Sequence, residues 1–180
     1  MKRLAINRLL LLCLVWSVGL VHAATFDREQ PVTIEADRVD VDEAKGTSVY
    51  SGHVVLRQGS MELQADELHI KTTAQRELET IIARGKPARF KQLNDPELGE
   101  LRGRAREITY RVTTEYMLFV GDAYFWQCGD EVSGEHVEYF GEQALVKARK
   151  AESGQGRVQV TLQPRDDEPS SRACQKQGTP

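Results

Sequence analysis

Acidic side chains and histidines are the residues of this chain that could do chemistry. Asp37, Asp66 and Glu135 each follow a small residue, and a pair of carboxylates would suit general acid–base hydrolysis. The fourth equivalent position is Arg106, so these charges recur with the chain pattern and form no singular pair; exposed turn residues and edge gatekeepers account for them better. His53, His69 and His136 fall at polar positions of strand-like runs and show no metal-ligand spacing. Cys128, in Trp126-Gln127-Cys128-Gly129, has no nearby cysteine and no base partner. No Gly-x-Ser-x-Gly elbow or phosphate loop is present. The sequence therefore predicts no catalytic residue, no metal, no cofactor, and a protein that is not an enzyme.

What remains to be positioned is apolar surface. The chain has 180 residues, 24 basic and 27 acidic, for a formal charge of −3, which argues against a nucleic-acid partner. Lys2, Arg3 and Arg8 precede an apolar run from Leu9 to Val21, and Val21 and Ala23 suit the −3 and −1 positions of a signal-peptide cleavage site. Residues 1–23 are expected to be a cleaved export signal, too short for a spanning helix. Cys13 lies inside that run after Leu10-Leu11-Leu12, which speaks against a lipoprotein anchor. Removal takes three basic residues and leaves a charge of −6. Cys128 and Cys174 remain; an oxidising compartment would allow a pair, but Cys174 sits in a polar Pro/Gly tail, so two unpaired or loosely paired thiols without a role are expected, and the sequence does not say whether they join. Residues 24–163 are expected to form one domain and 164–180 a disordered tail.

An internal repeat organises that domain. Ala36-Asp37-Arg38-Val39-Asp40-Val41 matches Ala105-Arg106-Glu107-Ile108-Thr109-Tyr110, and Ala65-Asp66-Glu67-Leu68-His69-Ile70 matches Gly134-Glu135-His136-Val137-Glu138-Tyr139. Tyr50-Ser51-Gly52-His53-Val54 likewise matches Phe119-Val120-Gly121-Asp122-Ala123. All three matches share one offset, 69 residues. The segments alternate apolar and polar and are rich in Val, Ile, Thr, Tyr and Phe, which predicts strands; even the best helical stretch, Thr73 to Ala83, lacks a cap.

The phase of the alternation slips at each small residue. Val32, Ile34 and Ala36 give way to Val39 and Val41; Met61, Leu63 and Ala65 to Leu68 and Ile70; Leu101, Gly103 and Ala105 to Ile108 and Tyr110; Val132 and Gly134 to Val137 and Tyr139. Because successive side chains of a strand point to opposite faces, a slip would turn half the strand inside out unless a bulge or bend intervenes. Four aligned slips predict strands bent at aligned corners. Tyr50, Val54 and Leu56, and Met117, Phe119 and Phe125, supply the remaining lining. The expected fold is all-β, an elongated jelly roll of stacked, bent antiparallel strands forming a V-shaped open sandwich. Leu118, Val120, Tyr124 and Trp126 make the opposite face apolar as well; either loops or the tail cover it or a partner does, and cover is the default expectation.

The order and spacing of Gln30-Pro31-Val32-Thr33-Ile34-Glu35-Ala36-Asp37, Tyr50-Ser51-Gly52-His53-Val54, Ala65-Asp66, Gly85-Lys86-Pro87-Ala88-Arg89-Phe90 and Phe119-Val120-Gly121-Asp122-Ala123-Tyr124 resemble the OstA-like (LptA) family of periplasmic lipopolysaccharide transport proteins, over about residues 27–163. The resemblance implies a periplasmic carrier that conducts lipopolysaccharide along an apolar groove, assembles with itself head to tail, and meets the membrane-anchored LptC and the outer-membrane translocon LptD. Acyl chains are then expected against Ile34, Val39, Val41, Val54, Leu56, Leu63, Leu68, Ile70, Ile108, Tyr110, Met117, Phe119, Phe125, Val137 and Tyr139. The same residues would also serve as plain core, since an open trough and a closed sandwich share one alternation.

Open edges are expected at both ends of such a sheet, at Val32–Asp37 and Arg157–Leu162, with Val32, Thr33, Ile34, Val158, Val160 and Leu162 binding partners by strand addition. Pro31 and Pro164 stand just outside these edges. Arg57, Lys71, Arg89 and Lys91 are candidate phosphate contacts, though ordinary solvated charges account for any one of them. The alternative reading is a structural β-scaffold that joins envelope proteins through its edges and binds no lipid.

Overall fold

A computed structural model describes residues 29–93, 99–154 and 156–164. The expected signal segment, Cys13, Cys174 and nearly all of the expected tail lie outside the described residues. Ten strands run in sequence: β1 (Val32–Glu35), β2 (Arg38–Asp42), β3 (Thr47–Gln58), β4 (Met61–Thr72), β5 (Leu78–Leu93), β6 (Glu100–Arg111), β7 (Tyr116–Gln127), β8 (Asp130–Phe140), β9 (Leu145–Arg149) and β10 (Gln159–Thr161). There is no α-helix among the described residues. All pairings are antiparallel and form one sheet.

β1 and β2 both pair with β3, on either side of its midpoint, and β9 and β10 both pair with β8 in the same way. Each couple is therefore one long strand interrupted at its bend, and the sheet is a meander of eight bent strands. The bend is a register shift at the middle of each long pairing: between Ser51 and Val54, Gln64 and Glu67, Arg84 and Ala88, Arg104 and Glu107, and Val120 and Ala123. These are the bulges that the phase slips demand. Single residues turn the corner in β4, β6 and β8 (Asp66, Arg106 and Glu135), whereas β3 and β7 use Gly52-His53 and Gly121-Asp122, and β5 uses Gly85-Lys86-Pro87.

The 69-residue repeat is visible in the backbone. β3 and β7 have identical lengths at that offset. The left-handed residues coincide too: Gly46 with Glu115 (φ 63° and 48°), Gly52 with Gly121 (80° and 84°), His53 with Asp122 (46° and 50°), and Gly59 with Cys128 (57° and 54°). Cys128 and Gly129 both have positive φ, so the β7–β8 hairpin closes in the two-residue turn whose twist matches the strands.

The bend divides the sheet into two leaves that fold onto each other. The first leaf holds β2, β9 and the halves of β3–β8 next to them; the second holds β1, β10 and the other halves. The leaves meet through Phe119, Phe125, Leu56, Leu63, Leu68, Ile81 and Ile108, all essentially inaccessible to solvent. Aromatic contacts cross the gap, with ring centroids 6.0 Å apart for Phe90–Tyr110, 6.0 Å for Phe119–Phe125 and 5.1 Å for Phe125–Tyr139. Phe119 packs against the α-carbon of Gly103, where any β-carbon would overlap its ring.

Candidate functional site

The inner surface is built from apolar ladders that cross every strand. In the first leaf, Val39 lies opposite Tyr50, then come Leu68, Ala83 and Ile108, and the row ends through Phe119 and Val137 at Ala148. In the second leaf, Ile34 and Leu56 lead to Leu63 and Phe90, and Gly103, Phe125 and Val132 lead to Val160. Burial of such rows removes apolar area from water at roughly 25 cal/mol per Å², which holds the leaves together.

All fifteen residues expected to line a trough face inward, but they differ in access. Val54, Leu56, Leu63, Leu68, Ile70, Ile108, Tyr110, Met117, Phe119, Phe125, Val137 and Tyr139 are buried as core, and Ile34 packs partly against them. Val39 and Val41 stand exposed at the N-terminal end. The middle of the interspace is filled by the protein's own side chains. It opens at the N-terminal end into a cleft of about 400 Å³ bounded by Val41, Ser48, Tyr50 and the loops carrying Lys45 and Arg76.

Both ends of the stack are apolar and unpaired. β1 and β2 have a strand on one side only, as do β9 and β10. The edges are thus longer than the sequence suggests, since β2 and β9 extend them past the bend. Val32, Thr33 and Ile34 lie in β1 and Val160 in β10, while Val158 and Leu162 flank β10. Of the seven exposed large hydrophobic residues among the described residues, Val32, Val39 and Val41 lie at one end and Val158, Val160 and Leu162 at the other, leaving only Leu93 elsewhere. Exposure of apolar surface is thus concentrated at the stack ends, as it would be at a docking surface.

Sequence reasoning missed Ile81, Ala83, Ala88 and Phe90 of β5, and Val146 and Ala148 of β9, all on the inner face. Ile81 and Ala83 are out of phase with Ala88 and Phe90, and Gly85-Lys86-Pro87 is the signal that a corner lies between them.

The outer aromatic face carries stacked cations. Arg102 lies opposite Trp126, Arg104 opposite Tyr124 and Arg111 opposite Tyr116, and their guanidinium carbons stand 4.8, 4.4 and 5.1 Å from the ring centroids. Lys147 similarly lies 5.0 Å from Phe140. Among the described residues, cations from neighbouring strands cover these rings, because a directly opposed Arg can lay its flat face on an aromatic side chain. Cys128, whose pairing the sequence leaves open, is disulfide-bonded.

The corner carboxylates belong to solvated ion pairs. His53 Nδ1 is 2.9 Å from Asp37 Oδ2, and the hydrogen bond and charge of Asp37 raise the imidazole above its ordinary value, with a smaller contribution from Asp66. Arg106 reaches Glu135 Oε1 at 2.9 Å and Asp122 at 3.9 Å. His69 Nε2 meets Glu67 at 2.6 Å and helps hold that carboxylate below its usual range. Of the four candidate phosphate contacts, Arg57 bridges Glu35 and Glu62, Lys71 meets Glu79, and Lys91 lies 3.5 Å from Glu62. Among the described residues no His, Cys, Asp and Glu cluster could hold a metal ion, and no helix is long and apolar enough to cross a membrane.

Comparison with known proteins agrees with this architecture. Lipopolysaccharide export system protein LptH of Pseudomonas aeruginosa is 30% identical over 152 residues, covering 82% of this chain and 87% of that protein. Lipopolysaccharide export system protein LptA of Escherichia coli K12 is 28% identical over 153 residues, covering 84% and 80%. The crystal structure of P. aeruginosa LptH, described as the LptA-homologous periplasmic component of the lipopolysaccharide transport device, superimposes with a TM-score of 0.69 at 30% identity, over 78% of this chain and all of that one. Residues 33–144 match the family described as LptA/(LptD N-terminal domain) LPS transport protein, and with bent strands, unpaired edges and a shared 69-residue repeat behind that match, the chain belongs to this family.

Proposed function

We propose that the protein is a periplasmic, non-catalytic carrier of lipopolysaccharide that joins copies of itself head to tail into a bridge between the two membranes, meeting LptC at one end and LptD at the other. One observation carries this reading: apolar ladders cross all eight bent strands and reach both unpaired edges, one starting at exposed Val39 on the first edge and another ending at exposed Val160 on the last. A second copy added edge to edge would extend the ladders, and a contact between unlike edges propagates instead of closing. Main-chain hydrogen bonds supply the affinity of such an addition.

Lipid acyl chains cost about 0.8 kcal/mol per exposed CH₂, so a carrier needs continuous apolar surface rather than a few polar contacts. The buried middle of the interspace means that chains enter as the leaves part, beginning at the N-terminal cleft beside Val41 and Tyr50. The membership of the family, with relatives named as export proteins, supports transport over the alternative of a scaffold that binds no lipid.

Photocrosslinking separates the two. A probe is placed in turn at Val41 in the mouth, at Leu68 on the inner face and at His69 on the outer, and intact lipopolysaccharide is added. Labelling at Val41 and Leu68 but not at His69 is expected. Labelling at none of them in folded protein would leave the scaffold.

A further inference from the structure

The outer face of the second leaf carries two like-charged cross-strand pairs side by side. Lys91 lies opposite Arg102, and Arg89 lies opposite Arg104. All four side chains are exposed. Like charges directly opposed on a sheet are destabilising, so the arrangement calls for a partner. Lys91 and Arg102 have theirs in Glu62 and Glu100. Arg89 and Arg104 have no carboxylate within ion-pair distance among the described residues, whereas Arg57, Arg84 and Arg106 each reach two.

The same two rows continue into Trp126 and Tyr124. Beside Tyr124 opens a cleft of about 490 Å³, walled by Arg104, Ser133, Gln159, Thr161, Lys150 and Arg157. Three carboxylates also border it, but each is engaged: Asp122 and Glu135 with Arg106, and Glu131 as acceptor from the Tyr124 hydroxyl. Lys150 and Arg157, like Arg89 and Arg104, have no ion-pair partner among the described residues. Tyr124 is neutral, so Glu131 keeps its charge, and Asp122 and Glu135 share the single charge of Arg106; the cleft lining balances three cations against three carboxylates, and the excess positive charge comes from Arg106 and Arg89 beside it. The volume falls within the range of small-ligand sites. Hydroxyl, amide and aromatic walls suit a sugar ring, and guanidinium groups bind phosphate oxygens with bidentate geometry.

We infer that the outer face here binds a phosphorylated saccharide, with the phosphate at Arg89 and Arg104, on the β5 side just outside the cleft, and the sugar in the cleft beside Tyr124. A phosphate turns the opposed arginines from a repulsive pair into a clamp. The site lies outside the leaves and does not depend on a lipid path between them, so it stands or falls separately from the carrier reading.

Trp126 reports on the site, because the chain has two tryptophans and removal of the leader takes Trp16. Leader-free protein is titrated with the phosphorylated oligosaccharide released from lipopolysaccharide, with its phosphatase-treated form, with inorganic phosphate and with intact lipopolysaccharide, following Trp126 fluorescence. The phosphorylated oligosaccharide is expected to bind at least tenfold more tightly than either the dephosphorylated form or phosphate alone. In Arg89→Gln/Arg104→Gln that binding should fall at least tenfold, while the thermal midpoint stays level or rises as the repulsion is removed. Equal binding of the dephosphorylated form overturns the inference. So does binding that the double variant leaves unchanged, or phosphate alone binding as well as the oligosaccharide. A response to intact lipopolysaccharide without one to the free oligosaccharide also overturns it, since the lipid would then be acting from between the leaves.

Discussion

Arg106 folds its guanidinium over the α-carbon of Gly121 as Asp37 folds its carboxylate over Gly52; in both places a β-carbon would overlap the charged group. The two pairs occupy equivalent positions of the 69-residue repeat with charge reversed. The corner thus specifies shape and not sign: a glycine in the left-handed region, a second left-handed residue after it, and a long or short polar chain laid across the outside.

Gly121→Ala and Gly52→Ala should each destabilise the fold by about 1–2 kcal/mol, the cost of forcing an L side chain into left-handed backbone. Movement of Arg106 can relieve the overlap at Gly121, but it cannot relieve the backbone. Urea denaturation monitored by circular dichroism measures the change, and midpoints equal to the parent's would contradict this account of the bend.

His53 should titrate above its ordinary value of 6.5, because Asp37 holds the protonated ring by a hydrogen bond and by charge. A raised folded-state pKa means that the contribution to stability is complete below the unfolded value and disappears as pH rises through the folded one. The side chain is fully exposed, so the effect belongs in a titration curve and not in a melt. An NMR pH titration of the ring, with Asp37→Asn as comparison, should show a downward shift in the variant; identical curves would mean that the pair does not form in solution.

Much of this fold could be read from where alternation breaks. Ala65, Ala105 and Gly134 mark slips, and the register shifts fall at the residues that follow them. β5 was harder to read because its corner takes three residues, Gly85-Lys86-Pro87, so the phase of Ile81 and Ala83 does not visibly connect with that of Ala88 and Phe90. Access could not be read at all. Leu68 and Val39 share one ladder and one chemical character, yet Leu68 is sealed and Val39 is 50% exposed, because position in the stack decides burial and the alternation carries no record of it. The arginine-covered rings escaped for a related reason: cross-strand opposition depends on register, which the separate strand patterns do not specify.

Phe119 and Gly103 should be energetically coupled. Gly103→Ala pushes a methyl group into the Phe119 ring, and overpacking of this kind costs about 1–3 kcal/mol. Against a Phe119→Leu background the same substitution should cost less, since the smaller side chain leaves room. A double-mutant cycle in urea reads the coupling directly; additive effects would show that the two leaves do not pack as closely as the structure has them.

Val41→Lys and Val160→Lys should weaken self-association without loss of fold, because both residues are exposed at opposite ends of the sheet. Sedimentation at increasing protein concentration should show assembly reduced for each variant, and reduced equally, if one end of a copy docks on the other end of the next. Loss of assembly with only one of the two would point instead to a contact between like ends.

The disulfide at Cys128 predicts a tether of the C-terminal segment to the β7–β8 turn. The chain has three cysteines, and with the expected cleavage after Ala23 removing Cys13, Cys174 is the expected partner. Gln163 already donates its backbone N–H to Asp130 Oδ1 at 3.0 Å, so β10 ends beside the turn that carries Cys128. The link closes a loop of about 46 residues in the unfolded chain, and a cross-link of this kind is typically worth about 2–4 kcal/mol. Peptide mapping of exported protein without reductant should recover Cys128 joined to Cys174, and Cys128→Ser/Cys174→Ser should lower stability by about that amount. A free Cys128 thiol in the exported protein, or a double variant as stable as the parent, would remove the tether from the account.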